Sequence, residues 1–181
     1  TLFRSVAVAS ALAFVLSFIK LKVNQSYGIT LSIIPIYFIS MRRGVRAGLT
    51  SGFVIGLIRI VTGNFTMLSV LQVVIEYLFA FMCAGLTGLW ANKFQKQAKA
   101  KNDTKAIFTL SIATLFGTIV EYFVHFVAGV IYWGSYALER MSPVLFSAVA
   151  NSTSGFLTWL TGLVLLIIVY RVQPRIFIPE D

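Results

Sequence analysis

The sequence predicts an all-α integral membrane protein: a six-helix bundle with both termini in the cytoplasm. Three observations carry that prediction. Of the 181 residues, 58% are hydrophobic and 12% charged, about half the charged share of soluble domains, and mean hydropathy is +0.87. Apolar residues come in six stretches, most of them near the roughly 17–25 residues that a spanning helix needs. The 15 basic residues outnumber the 6 acidic ones and fall unevenly on alternate connections, the pattern that orients a protein in a bilayer. At this length one membrane domain covering 1–181 is the natural reading.

The first helix covers about 2–19 and reads "VAVASALAF" in its middle. Ala7 and Ala11 are four residues apart, as are Ala9 and Ala13, and such spacing lets another helix approach closely. That approach suits either packing inside the bundle or docking to a partner. No cleavable signal peptide is expected, because no A-x-A-like site follows this stretch and it runs into Lys20 and Lys22. The second helix, about 29–41, is too short to cross upright and is interrupted by Pro35, so protein rather than lipid should surround it. The third, about 45–62, follows Gly44 and carries Gly48, Gly52 and Gly56 at every fourth position, which predicts a close seam inside the bundle.

The fourth helix, about 67–91, holds Glu76 and Tyr77, and Cys83, the only cysteine, reads as a small packing residue. The run from Lys93 to Lys105 reads as a solvated cytoplasmic loop touching lipid headgroups. The fifth helix, about 106–133, ends in "EYFVHFVAGVIYW", and the sixth, about 144–170, holds Asn151.

Six crossings put both termini on one side. That side collects Arg4, Arg42, Arg43, Arg46, five lysines from Lys93 to Lys105, Arg171 and Arg175; the other has Lys20, Lys22, Arg59 and Arg140. The positive-inside rule assigns the richer side to the cytoplasm. The net charge of +9, which in a soluble chain would suggest nucleic acid, is thereby accounted for by the membrane and its lipid, and no nucleic-acid partner is expected. No G-x-x-x-x-G-K-[ST] loop or G-x-S-x-G elbow occurs. One histidine and one cysteine make a zinc site implausible. No enzyme, metal or cofactor is expected.

Orientation turns spacing into depth. His125 lies eight residues below the outer end of its helix, Glu76 nine below the start of the fourth, and Asn151 seven below the start of the sixth, about 12, 13 and 10 Å at 1.5 Å per residue. Three polar residues from three helices share one level, where ionisable groups normally face a cavity or a partner. Glu121, His125, Gly129 and Trp133 follow one another at steps of four, which drift only about 40° around a helix each time. Such a site suits a small, flat, cationic or hydrogen-bonding molecule: a carboxylate supplies charge, Asn151 donates and accepts, and Trp133 offers a π-face. Each residue also has a plainer reading, as a satisfied interior Glu or His, an interhelical Asn bond, or an interface-belt Trp.

Taken in order, "IIPIYFISMRRGVRAGLTSG", "EYL", "YFVHFVAGVIYWGSY" and "AVANSTSG" resemble the thiamine-specific substrate-binding subunit, or S component, of energy-coupling factor transporters, over nearly the whole chain. The resemblance implies a six-helix S component in a bacterial cytoplasmic membrane, with an outward-facing pocket for thiamine or a related small cation. It also implies a transmembrane coupling protein and two cytoplasmic ATPases as partners, which use the ATP, with Ala7 and Ala11 matching the docking motif. By position, Glu76 and Asn151 would hold the aminopyrimidine and Trp133 would stack on a ring. His125, Tyr77 and Gly129 would line the pocket around the thiazolium and hydroxyethyl arm, with Glu121 on the same wall. Three positions depart from the family pattern. Glu121 replaces a basic residue and Phe146 a tyrosine. The first outer loop, "NQSYGITLS", offers Tyr27 where some members have a ring-stacking tryptophan.

Two other functions compete. Glu76, Glu121 and His125 would form a proton relay in a stand-alone secondary transporter of a small cationic solute, although inverted repeats are not evident. The "ExxxH" pair Glu121 and His125 would activate water in an intramembrane hydrolase, although a second His and a nucleophile are missing.

Overall fold

Helix starts follow from capping side chains. Ser69, Asn102 and Ser142 each accept a bond, at 3.2 Å, from the backbone N–H three residues on, satisfying donors that the first turn leaves open. Pro143 follows Ser142 at the first helical position, where its missing N–H costs nothing. The computed structural model describes residues 2–19, 21–22, 27–137 and 141–179, and its architecture is all-α. The helices are α1 Leu2–Leu16, α2 Ile33–Arg43, α3 Val45–Val61, α4 Val70–Lys99, α5 Asp103–Tyr132 and α6 Pro143–Val172. Short 3₁₀ turns follow α5 at Gly134–Tyr136 and α6 at Pro174–Phe177. Among the described residues, α4, α5 and α6 are long and apolar enough to cross a membrane. Their outer faces carry large apolar side chains in the open, among them Phe108, Ile119, Phe123, Leu160 and Val164, as lipid contact requires.

Three sequence-based boundaries change. Ile29 does not begin a helix. Gly28–Ile29 (β2) pairs antiparallel with Leu21–Lys22 (β1), Leu21 opposite Ile29 and Lys22 opposite Gly28. The hairpin is latched to α6, because Gly28 N donates to Ser154 Oγ at 3.2 Å and Thr30 N to Thr158 Oγ1 at 3.0 Å. Pro35 does not interrupt α2. It sits in the first turn, where no intrahelical partner for its nitrogen is lost. The stretch from Lys93 is not all loop: α4 runs on to Lys99, because Ala91, Phe94 and Ala98 fall on one buried stripe while Lys93, Lys96 and Lys99 face outward. Lys20 and Arg140, both counted on the less basic side, lie outside the described residues, as does most of the loop before Tyr27.

Short α2 is the centre of the core. Ile33, Ile36, Tyr37 and Met41 are buried with Phe81, Phe94, Leu110, Leu166, Tyr170 and Phe177, and Ile39 is buried with Val6, Ala9 and Ala47. Protein does surround this short segment. Gln95 Nε2 donates to the carbonyls of Met41 and Arg42 at 2.8 and 2.9 Å, satisfying acceptors at the C-terminal end of α2. Gly44, at φ +85°, takes a left-handed turn that only glycine enters cheaply, and α3 starts at the next residue. The glycine stripe is the α3–α4 seam. A methyl group on Gly48 would collide with the Gly85 backbone, on Gly52 with the Phe81 carbonyl, and on Gly56 with the Tyr77 carbonyl.

Candidate ligand cavity

A cavity of about 560 Å³ opens at the end of the bundle where α3 and α5 finish and α4 and α6 begin. Its size fits the range of small-molecule sites. Glu76, Tyr77, His125, Gly129, Trp133, Phe146, Asn151 and Tyr27 all line it. Glu121 does not. It is 1% exposed and lies one turn further in, where the wall has closed over α5. The expectation of Glu121 on the wall is corrected in that respect. Its Oε1 stands 4.0 Å from His125 Nε2, so it touches the cavity only through that ring.

Glu76 owes its position to an irregular stretch of α4. Val74–Phe79 is π-helical, a local widening that re-aims side chains and is frequent at functional sites. Trp133 Nε1 donates to Glu76 Oε1 at 2.9 Å, and Gln72 Nε2 donates to Oε2. Gln72 is itself buried and fixed to Thr66 O and Leu68 N, at 3.2 and 3.1 Å. The carboxylate is therefore preorganised. Trp133 caps α5, its backbone N–H reaching Gly129 O at 3.1 Å, and its ring lies 5.2 Å from Tyr136. The indole turns into the cavity rather than to lipid.

Opposite, Asn151 Nδ2 donates to Ser147 O and Ser147 Oγ at 3.0 and 3.2 Å, which keeps Oδ1 as an acceptor for a ligand. Gly129 serves packing as well as room: a methyl there would strike Ser147 Oγ, whose hydroxyl donates to Phe126 O at 2.8 Å. Tyr77 accepts from Thr66 N at 3.0 Å and packs edge-on against Phe65 at 5.9 Å. Tyr27 reaches the cavity beside the latched hairpin.

Sequence reasoning missed several lining residues. Tyr122 OH pairs with Thr158 Oγ1 at 2.9 Å and Thr30 Oγ1 at 3.3 Å, tying α5, α6 and the hairpin together. Arg59 lines the cavity with its guanidinium carbon 5.0 Å from the Tyr77 ring centroid and 5.1 Å from that of Phe81, a geometry of cation–π contact. Its signal was present as an arginine in the apolar last turns of α3, thirteen residues beyond Arg46.

Fold and site together define a helical membrane protein with a preformed small-molecule cavity at one end of its bundle. The chain belongs to the family described as Thiamine transporter protein (Thia_YuaJ), whose model matches residues 3–178. It is 31% identical over 179 residues to a protein of Lacticaseibacillus paracasei (strain ATCC 334), covering 97% of this chain and 89% of that one. It is 29% identical over 174 residues to a protein of Bacillus subtilis (strain 168), covering 94% and 91%. Both relatives are named Thiamine transporter ThiT. A solved structure of ThiT from Listeria monocytogenes superposes with a TM-score of 0.96 at 34% identity, over 98% of this chain and 97% of that one. The family is one of transporters, not enzymes.

Proposed function

We propose that this chain is the thiamine-binding subunit of an ATP-driven uptake system in a bacterial cell membrane. It works as a single six-helix domain, with both termini cytoplasmic and the cavity facing outward. The observation that carries the reading is Glu76, held by Trp133 and Gln72 and sharing the cavity with Asn151. A fixed carboxylate and an amide oxygen bracket the donor-rich edge of an aminopyrimidine. The aromatic rings of Trp133 and Tyr77, beside that carboxylate, suit a flat cationic thiazolium, and His125, which lines the same cavity, is left for the hydroxyethyl arm. The relatives named as thiamine transporters support the choice of ligand.

Energy for uptake comes from outside the chain: a membrane coupling protein and two cytoplasmic ATPases complete the transporter. The face of α1 supports this reading. Ala9 and Ala13 are buried in the bundle, while Ala7 and Ala11 on the other side are exposed.

Native mass spectrometry of the purified protein weighs any retained molecule, and titration calorimetry then measures thiamine binding. Tight binding, without uptake by the chain alone in liposomes, is the expected pair of results. Uptake by the chain alone would overturn the subunit reading. Trp133→Ala is expected to lose both ligand-induced fluorescence quenching and about tenfold or more in affinity, since a desolvated cation–π contact is worth about 2 kcal/mol. Persistent quenching would transfer the ring-stacking role to another tryptophan.

A further inference from the structure

Glu121 and His125 stand one turn apart on α5, the first behind the cavity wall and the second in it. Glu121 is 1% exposed, and neither of its carboxylate oxygens has a hydrogen-bond partner among the described residues. Two nearby hydroxyls are committed elsewhere. Tyr122 OH pairs with Thr158 Oγ1 and Thr30 Oγ1, and Tyr37 OH, which reaches α5 one turn before Glu121, pairs with Thr118 Oγ1 at 2.5 Å. Among the described residues, His125 Nε2 is the one basic nitrogen within 4.0 Å of a Glu121 oxygen. No hydrogen bond to the described residues ties the imidazole elsewhere. The 4.0 Å gap is longer than a hydrogen bond. Residues four apart share a helix face, however, and a turn of the ring toward a carboxyl with no other partner closes it.

A buried charge without compensation is costly, and two arrangements of this pair avoid one. In the first, the carboxyl keeps its proton and donates it to Nε2 of a neutral ring. In the second, that proton has passed to Nε2, and a carboxylate faces an imidazolium. Both hold the same protons and no net charge. Both also place a proton on Nδ1, because the bond made by one ring nitrogen sets the state of the other. A bare Nδ1 costs more. It requires either a carboxylate beside a neutral ring, which is a buried net charge, or a carboxylic acid that accepts from Nε2–H and leaves its own O–H without an acceptor. We propose that Glu121 is a positioning residue for His125: it fixes Nδ1 as a hydrogen-bond donor, and so sets the cavity's demand for a ligand with an acceptor at the His125 end. That donor complements Glu76 and Asn151 Oδ1, which accept. Glu121 itself touches no ligand. The choice of probes rests on the thiamine reading above, in which the acceptor is the hydroxyl oxygen of the side arm.

The protein has a single histidine, so imidazole nitrogen NMR spectra of the isotope-labelled, untagged chain in detergent report His125 alone. Ligand-free wild type is expected to show a protonated Nδ1, as the Nδ1–H tautomer or as the imidazolium. A bare Nδ1 in wild type overturns the proposal, and that spectrum needs no variant to fold. In E121L the preference for Nδ1–H is lost, whereas E121Q, whose amide still donates to Nε2, keeps it. A tautomer unchanged in E121L overturns the proposal as well. Calorimetry with thiamine and with an analogue in which ethyl replaces the hydroxyethyl arm reads the consequence. E121L is expected to weaken thiamine about tenfold and the analogue less than about threefold, and E121Q to leave both within about threefold of wild type. Equal loss for both ligands in E121L would reduce Glu121 to a packing residue and overturn the selectivity. Wild type that binds neither probe refutes the thiamine reading, while the ligand-free spectra still decide whether Glu121 sets the state of His125.

Discussion

Glu76 is the side chain on which the cavity turns. Two donors hold it, Trp133 from α5 and Gln72 one turn earlier on α4, so its carboxylate meets a ligand without first losing freedom. Charge-assisted hydrogen bonds of this kind contribute about 1.5–3 kcal/mol. Glu76→Gln keeps the shape and removes the charge, and it is expected to weaken thiamine binding at least about tenfold by calorimetry. An unchanged affinity would take Glu76 out of the site. Depth counting found Glu76, His125 and Asn151, because 1.5 Å per residue is a property of any helix. It misplaced Glu121 relative to the wall, because where a cavity closes depends on the packing of other helices. It passed over Gln72 and Ser147, since neutral side chains in an apolar run carry no cost large enough to announce a role. Arg59 was counted only for orientation: its reach to the Tyr77 and Phe81 rings is a fact of tertiary contact.

At the scale of elements, α4 shows what periodicity records and what it hides. Its continuation to Lys99 was written in Ala91, Phe94 and Ala98, an i, i+3, i+7 stripe that the neighbouring lysines masked when the segment was read by charge alone. The π-helical turn at Val74–Phe79 and the 3₁₀ turn at Gly85–Trp90 leave no mark of that kind, because they answer to the helix packed alongside. That helix is α3, and its glycine stripe was legible as a close seam. The partner was not, since a stripe says that something comes near and not what. Gly52 gives the sharpest test, because an added methyl would meet the carbonyl of Phe81 rather than a side chain that can turn away. Gly52→Ala is expected to destabilise the protein by about 1–3 kcal/mol, the usual range for overpacking. Thermal unfolding in detergent reads it, and an unchanged transition would mean that the seam is looser than its geometry.

For the whole molecule, the two faces of α1 differ in burial, and the proposed division between binding and transport is tested there. Val6, Ala9, Ser10 and Ala13 point into the bundle, and Ser10 Oγ meets Ser51 Oγ of α3 at 3.1 Å. Ala7 and Ala11 point the other way and are exposed. None of them lines the cavity. Spacing alone left both alanine pairs open to either role, because a repeat of four gives a stripe but not the direction it faces; burial separates them. A small exposed stripe lets a partner helix come close, and bulk there prevents it. Replacing Ala7 and Ala11 together with Trp is therefore expected to abolish thiamine uptake in cells that supply the coupling protein and ATPases. The purified variant should still bind thiamine within about threefold of wild type, because surface changes away from a site shift energies by only a few tenths of a kcal/mol. The measurement is paired: radiolabelled uptake in cells and equilibrium binding in detergent. Intact uptake would show that the coupling protein docks elsewhere. A collapse of binding as well would show that α1 transmits strain through Ser10 and α3 to the cavity, so that capture and docking share one structural unit.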